Sequence, residues 1–99
     1  MAKIEFLEEV DDDFSKIPEK VKVEVNKYLS DLQKNPFFGK KMERELKGCY
    51  AIYLHNATYR IVYQVRNSAI KIVLIIAVGA RAESEVYRIA KNRLNKYGL

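Results

Sequence analysis

The sequence predicts an α+β domain in the order β-α-α-β-β-β-α, with helices packed on one face of an antiparallel sheet. Three observations predict it. Two early segments carry apolar side chains at helical spacing. Three consecutive β-like runs between residues 49 and 78 are separated only by Asn56-Ala57 and Asn67-Ser68, and a last helical stripe leads to Gly98. With 99 residues, 48% of them hydrophobic, the chain can fill one core and not two, so 1–99 is expected to be a single domain.

Ala2-Lys3-Ile4-Glu5-Phe6 alternates polar and apolar side chains, as a half-buried strand does. From Leu7 the period changes: Leu7, Val10 and Phe14 fall on one face of a short helix, and Asp11-Asp12-Asp13 read as its solvated face. Pro18 suits a helix's first turn, and Val21, Val25, Tyr28, Leu29 and Leu32 follow at helical spacing until Asn35-Pro36 ends the helix. Phe37 to Gly48 shows no clean period and reads as a loop with at most a short strand. Cys49–His55, Thr58–Arg66 and Ala69–Val78 then form an antiparallel meander, because two-residue connections are hairpin lengths. Ile70 to Val78 is almost continuously apolar, so this strand should be central and covered on both faces, with Gly79 closing it. Ser84 is the expected N-cap of the final helix, in which Val86, Ile89, Ala90, Leu94 and Tyr97 keep the period and Arg93 interrupts the stripe.

Charge is unevenly distributed. The chain carries 18 Lys and Arg against 13 Asp and Glu, for a net charge of +5. Residues 1–13 hold one Lys and six acids, hence −5, whereas residues 34–99 hold thirteen basic and four acidic residues, hence +9. The C-terminal two-thirds would therefore attract a phosphate backbone, in a salt-dependent way. One Cys and one His cannot build a cysteine-rich or histidine-rich metal site, and there is no GxxxxGK[ST] or GxGxxG to cradle nucleotide phosphates. No cofactor is expected. The longest apolar run is about half a membrane span, and the acidic N-terminus is the reverse of a signal peptide's, so a cytoplasmic, membrane-free protein is expected.

Strand alternation sorts the candidate functional residues. Tyr50, Ile52 and Leu54 share an apolar face with Ile61, Tyr63 and Val65; Ala51, Tyr53 and His55 share the other with Arg60, Val62, Gln64 and Arg66. A two-residue turn would set Tyr53 opposite Arg60. Arg81 follows the central strand and Tyr87 lies early in the last helix, so Arg60, Arg81 and Tyr87 can converge. Paired guanidinium forks suit a scissile phosphate and its developing charge, and a tyrosine can stack on a base or hydrogen-bond a leaving oxygen. His55 reads either as a general base or as a solvated residue beside a turn. Lys40, Lys41, Arg44 and Lys47 read either as an RNA-backbone patch or as a solvated loop.

Three stretches carry a resemblance: Leu46-Lys47-Gly48-Cys49-Tyr50; Tyr59-Arg60-Ile61-Val62-Tyr63-Gln64-Val65; and Val78-Gly79-Ala80-Arg81-Ala82-Glu83-Ser84-Glu85-Val86-Tyr87, followed by Asn92-Arg93-Leu94. In order and spacing they resemble the RelE family of toxins, within the RelE/ParE superfamily, from bacterial type II toxin–antitoxin modules. The resemblance implies a small endoribonuclease, an mRNA interferase that enters the ribosomal A site. It would cleave translated mRNA there without metal, by attack of a ribose 2′-OH on the adjacent phosphate. It also implies neutralisation by a cognate antitoxin, the toxin being a monomer or part of an antitoxin-bound hetero-oligomer. Arg60 and Arg81 match the family's phosphate-holding arginines, and Tyr87 its base-orienting tyrosine. The sequence departs from the pattern on the strand before: well-studied members carry two lysines where this chain has Ala51 and Tyr53. His55, Lys47 or another lysine of the basic loop would then have to substitute. Two alternatives stand beside this reading, a ParE-like inhibitor of DNA gyrase and a weak or inactive homologue that only binds antitoxin.

Overall fold

The computed structural model describes residues 1–54 and 58–99, with the side chain of Glu83 excepted. Its elements are β1 (Lys3–Phe6), α1 (Val10–Ser15), α2 (Glu19–Lys34), β2 (Lys40–Lys41), a 3-10 turn (Arg44–Leu46), β3 (Cys49–Leu54), β4 (Tyr59–Asn67), β5 (Lys71–Ala80), a second 3-10 turn (Ala82–Ser84) and α3 (Glu85–Tyr97). The five strands form one sheet in the order β1-β5-β4-β3-β2. The α+β class and the order of elements agree with the sequence reading.

Two details differ. β1 lies parallel to β5, with Lys3 beside Ile72 and Phe6 beside Ile75, so the sheet is mixed rather than antiparallel throughout. The chain returns beside β1 only after α1, α2 and β2–β4 have intervened, far longer than the crossover a parallel pair needs. The helices also occupy both faces rather than one. Val10 of α1 and Val21, Val25 and Leu32 of α2 pack with Ile52, Leu54, Ile61, Tyr63, Val73, Ile75 and Val78. On the opposite face Val86, Ala90 and Leu94 of α3 pack with Cys49, Val62, Leu74, Ile76 and Ala77. This second layer is why Val73–Val78 is buried throughout and its sequence lacks alternation.

A bulge adjusts the phase between the two cores. Val62 pairs with Ala77 but Tyr63 pairs with Ile75, which leaves Ile76 as the extra residue of β5. Ile76 and Ala77 can thereby both face α3 although they are adjacent in sequence. Gly79 does not close this strand; it lies within it, paired with Arg60, and β5 continues to Ala80. The segment after Asn35 forms β2, whose two residues pair antiparallel with β3, and a 3-10 turn that buries Leu46 against the α3 core.

β1 is four residues long, so it leaves the second half of β5 with an open edge. Side chains close that edge. Asp13 accepts the Val78 N–H at 3.0 Å, and Arg93 donates to the Ile76 carbonyl at 3.0 Å while forming a forked pair with both Asp13 oxygens at 2.6 and 2.9 Å. Asp13 is thus buried, not part of a solvated acidic face, and Arg93 interrupts the apolar stripe because it satisfies backbone groups that a strand would otherwise pair. At the far end of α3, Glu9 accepts from Lys96 Nζ at 2.9 Å and from the Tyr97 hydroxyl at 2.8 Å. These two donors hold the Glu9 carboxyl down at about 2. Together the two clusters tie α3 to the start of α1.

Candidate functional site

β3 and β4 pair antiparallel with Tyr53 opposite Arg60, the register expected from the sequence. Alternation directs both side chains to the face on which α3 lies, the face of Cys49 and Val62. The Arg60 guanidinium carbon stands 3.8 Å from the centroid of the Tyr53 ring. Its Nε donates to the Tyr87 hydroxyl at 2.9 Å, and one terminal nitrogen donates to the Tyr59 carbonyl at 3.2 Å. Arg60 is only 5% exposed, and Tyr53, covering it, is 42% exposed. A buried guanidinium needs such partners: the ring face supplies cation–π attraction of about 0.5–2 kcal/mol, and the two oxygens satisfy N–H groups withdrawn from water.

The path of the chain after β5 brings Tyr87 to this position. Arg81 N–H donates to the Thr58 carbonyl at 2.9 Å, which joins the end of β5 to the start of β4, and Ser84 N–H donates to the Arg81 carbonyl at 2.9 Å. Ser84 adopts a left-handed conformation, φ 58°, as the 3-10 turn gives way to α3. Its hydroxyl makes no capping hydrogen bond, so Ser84 sits at the expected N-cap position without acting as the expected cap. Arg81 itself is exposed, two residues beyond Gly79, the cross-strand neighbour of Arg60. Arg60, Tyr53 and Tyr87 are therefore in direct contact, while Arg81 is held beside them through its backbone.

The four basic residues of the 37–48 segment separate in space. Lys40 stands opposite Ala51 and shares the face of Tyr53, with its Nζ 5.9 Å from the Tyr53 ring centroid. Lys41 stands opposite Tyr50, whose side chain packs on the α2 side of the sheet. Arg44 and Lys47 are exposed on and just after the 3-10 turn, which Glu45 ties to Lys91 of α3 at 3.1 Å. His55 lies outside the described residues. Cys49 is buried, and burial pushes its thiol up, away from the reactive thiolate form. Among the described residues no group of three His, Cys, Asp or Glu side chains converges to hold a metal ion. None of their helices is long and apolar enough to cross a membrane.

Gly39 escaped the sequence reading. A side-chain carbon there would lie 2.7 Å from the Tyr63 hydroxyl and 3.0 Å from the Ala51 carbonyl, so only glycine lets β2 approach β3 this closely. Its N–H donates to the Tyr63 hydroxyl at 2.8 Å, and burial pushes that phenol up to about 12. The one available signal was a glycine immediately before two lysines.

The family described as "ParE toxin of type II toxin-antitoxin system, parDE" matches residues 4–85. The mRNA interferase toxin RelE of Escherichia coli K12 is 32% identical over 91 residues, covering 92% of this chain and 95% of that protein. A solved structure of a mutant of the E. coli toxin RelE in the free state superposes with TM-score 0.77 at 32% identity, covering 95% of this chain and 99% of the other. The toxin in the intact E. coli RelBE toxin–antitoxin complex superposes with TM-score 0.69 at 28% identity, covering 81% and 96%. Fold, sequence and motif order agree along nearly the whole length, and the chain belongs to the RelE family of toxins of type II toxin–antitoxin systems.

Proposed function

We propose that this toxin is a ribosome-dependent endoribonuclease that cuts mRNA in the A site and is neutralised by a cognate antitoxin. The observation that carries the reading is Arg60: a nearly buried guanidinium, stacked on Tyr53 and bonded to Tyr87, on a face bordered by the exposed Arg81. Support also comes from the E. coli relative named as an mRNA interferase toxin and from the RelBE complex, in which a similar toxin is bound to its antitoxin.

In this reaction the ribose 2′-oxygen attacks the adjacent phosphorus and the bond to the 5′-oxygen breaks, leaving a 2′,3′-cyclic phosphate and a 5′-hydroxyl. The 2′-OH proton leaves for a base, and the departing oxygen takes up a proton. Arg60 and Arg81 serve the phosphate, whose equatorial oxygens gain negative charge in the transition state. Stacking and hydrogen bonding fix Arg60 in advance, which avoids reorganisation at the moment of reaction. Tyr87 holds Arg60 by its hydroxyl and offers its ring to the neighbouring base. Ala51 and Tyr53 offer no amine for proton transfer, so the base lies elsewhere, with His55 and Lys47 as candidates.

Arg81→Ala tests the reading, because Arg81 is exposed and its loss does not disturb a core. Removing one of the two phosphate-holding cations should lower mRNA cleavage on programmed ribosomes by about 10²–10³-fold and relieve growth arrest. The matched family is described as ParE toxins, which favours gyrase inhibition as the second reading. Growth arrest with intact mRNA and broken DNA would select it, and arrest unchanged by Arg81→Ala would remove the phosphate-holding role.

A further inference from the structure

We propose that Lys40, and not Lys41, is a substrate-contacting residue of this site, binding an RNA phosphate beside the one served by Arg60. The inference rests on the endoribonuclease reading above and adds to it a residue from a different strand.

Register supplies the first argument. Lys40 pairs with Ala51 and Lys41 with Tyr50, and directly opposed residues of an antiparallel pair share a face. Lys40 therefore lies on the face of Tyr53 and Arg60, diagonal to Tyr53, whereas Lys41 belongs to the α2 side. The second argument is electrostatic. Tyr53 has the Arg60 guanidinium carbon 3.8 Å from its centroid and the Lys40 ammonium 5.9 Å from it, so one ring is bordered by two cations from different strands. Two cations flanking one ring suit a chain of regularly spaced anions, each paired with the phosphate nearest to it. A polynucleotide laid over the half-exposed Tyr53 ring would bring both a base to stack and phosphates to pair.

The third argument is positional. β2 is only two residues long, yet its place is strictly set. Gly39 N–H donates to the buried Tyr63 hydroxyl at 2.8 Å, and a side-chain carbon at Gly39 would approach that hydroxyl to 2.7 Å. The backbone from which Lys40 projects is thus pinned to the sheet. Lysine on an edge strand also deters edge-to-edge pairing, but that purpose is served equally by Lys41, so comparing the two separates the explanations.

The test uses the whole toxin and ribosomes programmed with a defined mRNA, in single-turnover cleavage across a salt series. Both lysines are exposed, so neither replacement removes core packing, and melting curves verify the fold. Lys40→Ala should slow cleavage by about 10–100-fold and reduce the salt slope of binding by close to one counterion. Lys40→Arg should retain most of the rate, and Lys41→Ala should stay within about twofold of the parent, as expected for a charge on the opposite face. Equal losses from Lys40→Ala and Lys41→Ala, or no loss from Lys40→Ala, would overturn the assignment. If Arg81→Ala abolishes cleavage while Lys40→Ala does not, the role of Lys40 falls and the endoribonuclease reading stands. A parent toxin that leaves mRNA whole brings down both.

Discussion

Asp13 and Arg93 are eighty residues apart and meet as a forked ion pair on the open edge of β5. Neither is intelligible from its neighbours in the chain: Asp13 ends a run of three acids, and Arg93 stands in an apolar stripe. Both become necessary once β1 is seen to end before β5 does, because the Val78 N–H and the Ile76 carbonyl need partners. The carboxylate beside Arg93 raises the guanidinium's affinity for its proton. Asp13→Ala would leave a buried cation and a buried N–H unmatched. It should cost about 3–5 kcal/mol, read as a lowered midpoint in urea unfolding. Arg60, by contrast, was legible, because strand alternation and a short turn already placed it opposite Tyr53. Its hydrogen bond to Tyr87 was not, since that depends on how the chain leaves β5.

At the scale of elements, α3 shows both sides of this division. Its apolar period over Val86, Ala90 and Leu94 and its C-terminal Gly98, left-handed at φ 66°, are local properties, legible in the sequence. Which face of the sheet it covers was not a local property. α3 is attached at its C-terminal turn by Lys96 and Tyr97 to Glu9, whose carboxyl is lowered from 4.5 to about 2. A carboxyl with a depressed folded value contributes stability above its unfolded value, and that contribution fades as pH falls from about 4.5 toward 2. Amide exchange in residues 94–99 should therefore accelerate over that range. Glu9→Gln should remove this pH dependence, and an unchanged profile in the variant would exclude the attachment. From the sequence β2 reads as at most a short strand, because two residues carry no period. A glycine contact with Tyr63 defines it, twenty-four positions away.

For the whole molecule the charge distribution has a structural counterpart. The acidic N-terminal segment is partly consumed internally, by Asp13 with Arg93 and Glu9 with Lys96. The basic remainder includes Lys40, Arg44, Lys47 and Arg81, all exposed. With about five phosphate contacts at a single-strand slope of about −0.7 per contact, affinity for programmed ribosomes should fall roughly 10²-fold between about 50 and 200 mM salt. A salt-independent affinity would argue against a phosphate-reading surface.

By itself the sequence determined the element types, the order of the meander, the pairing of Tyr53 with Arg60 and the family, because each depends on local period, turn length or motif spacing. Tertiary structure decided that β1 runs parallel to β5, that helices cover both faces, that Asp13 is buried, and that Lys40 and Lys41 part company. The physical reason is common to all four. Each depends on which backbone groups and which faces remain unpaired after the local elements have formed, and that is known only when distant segments have met.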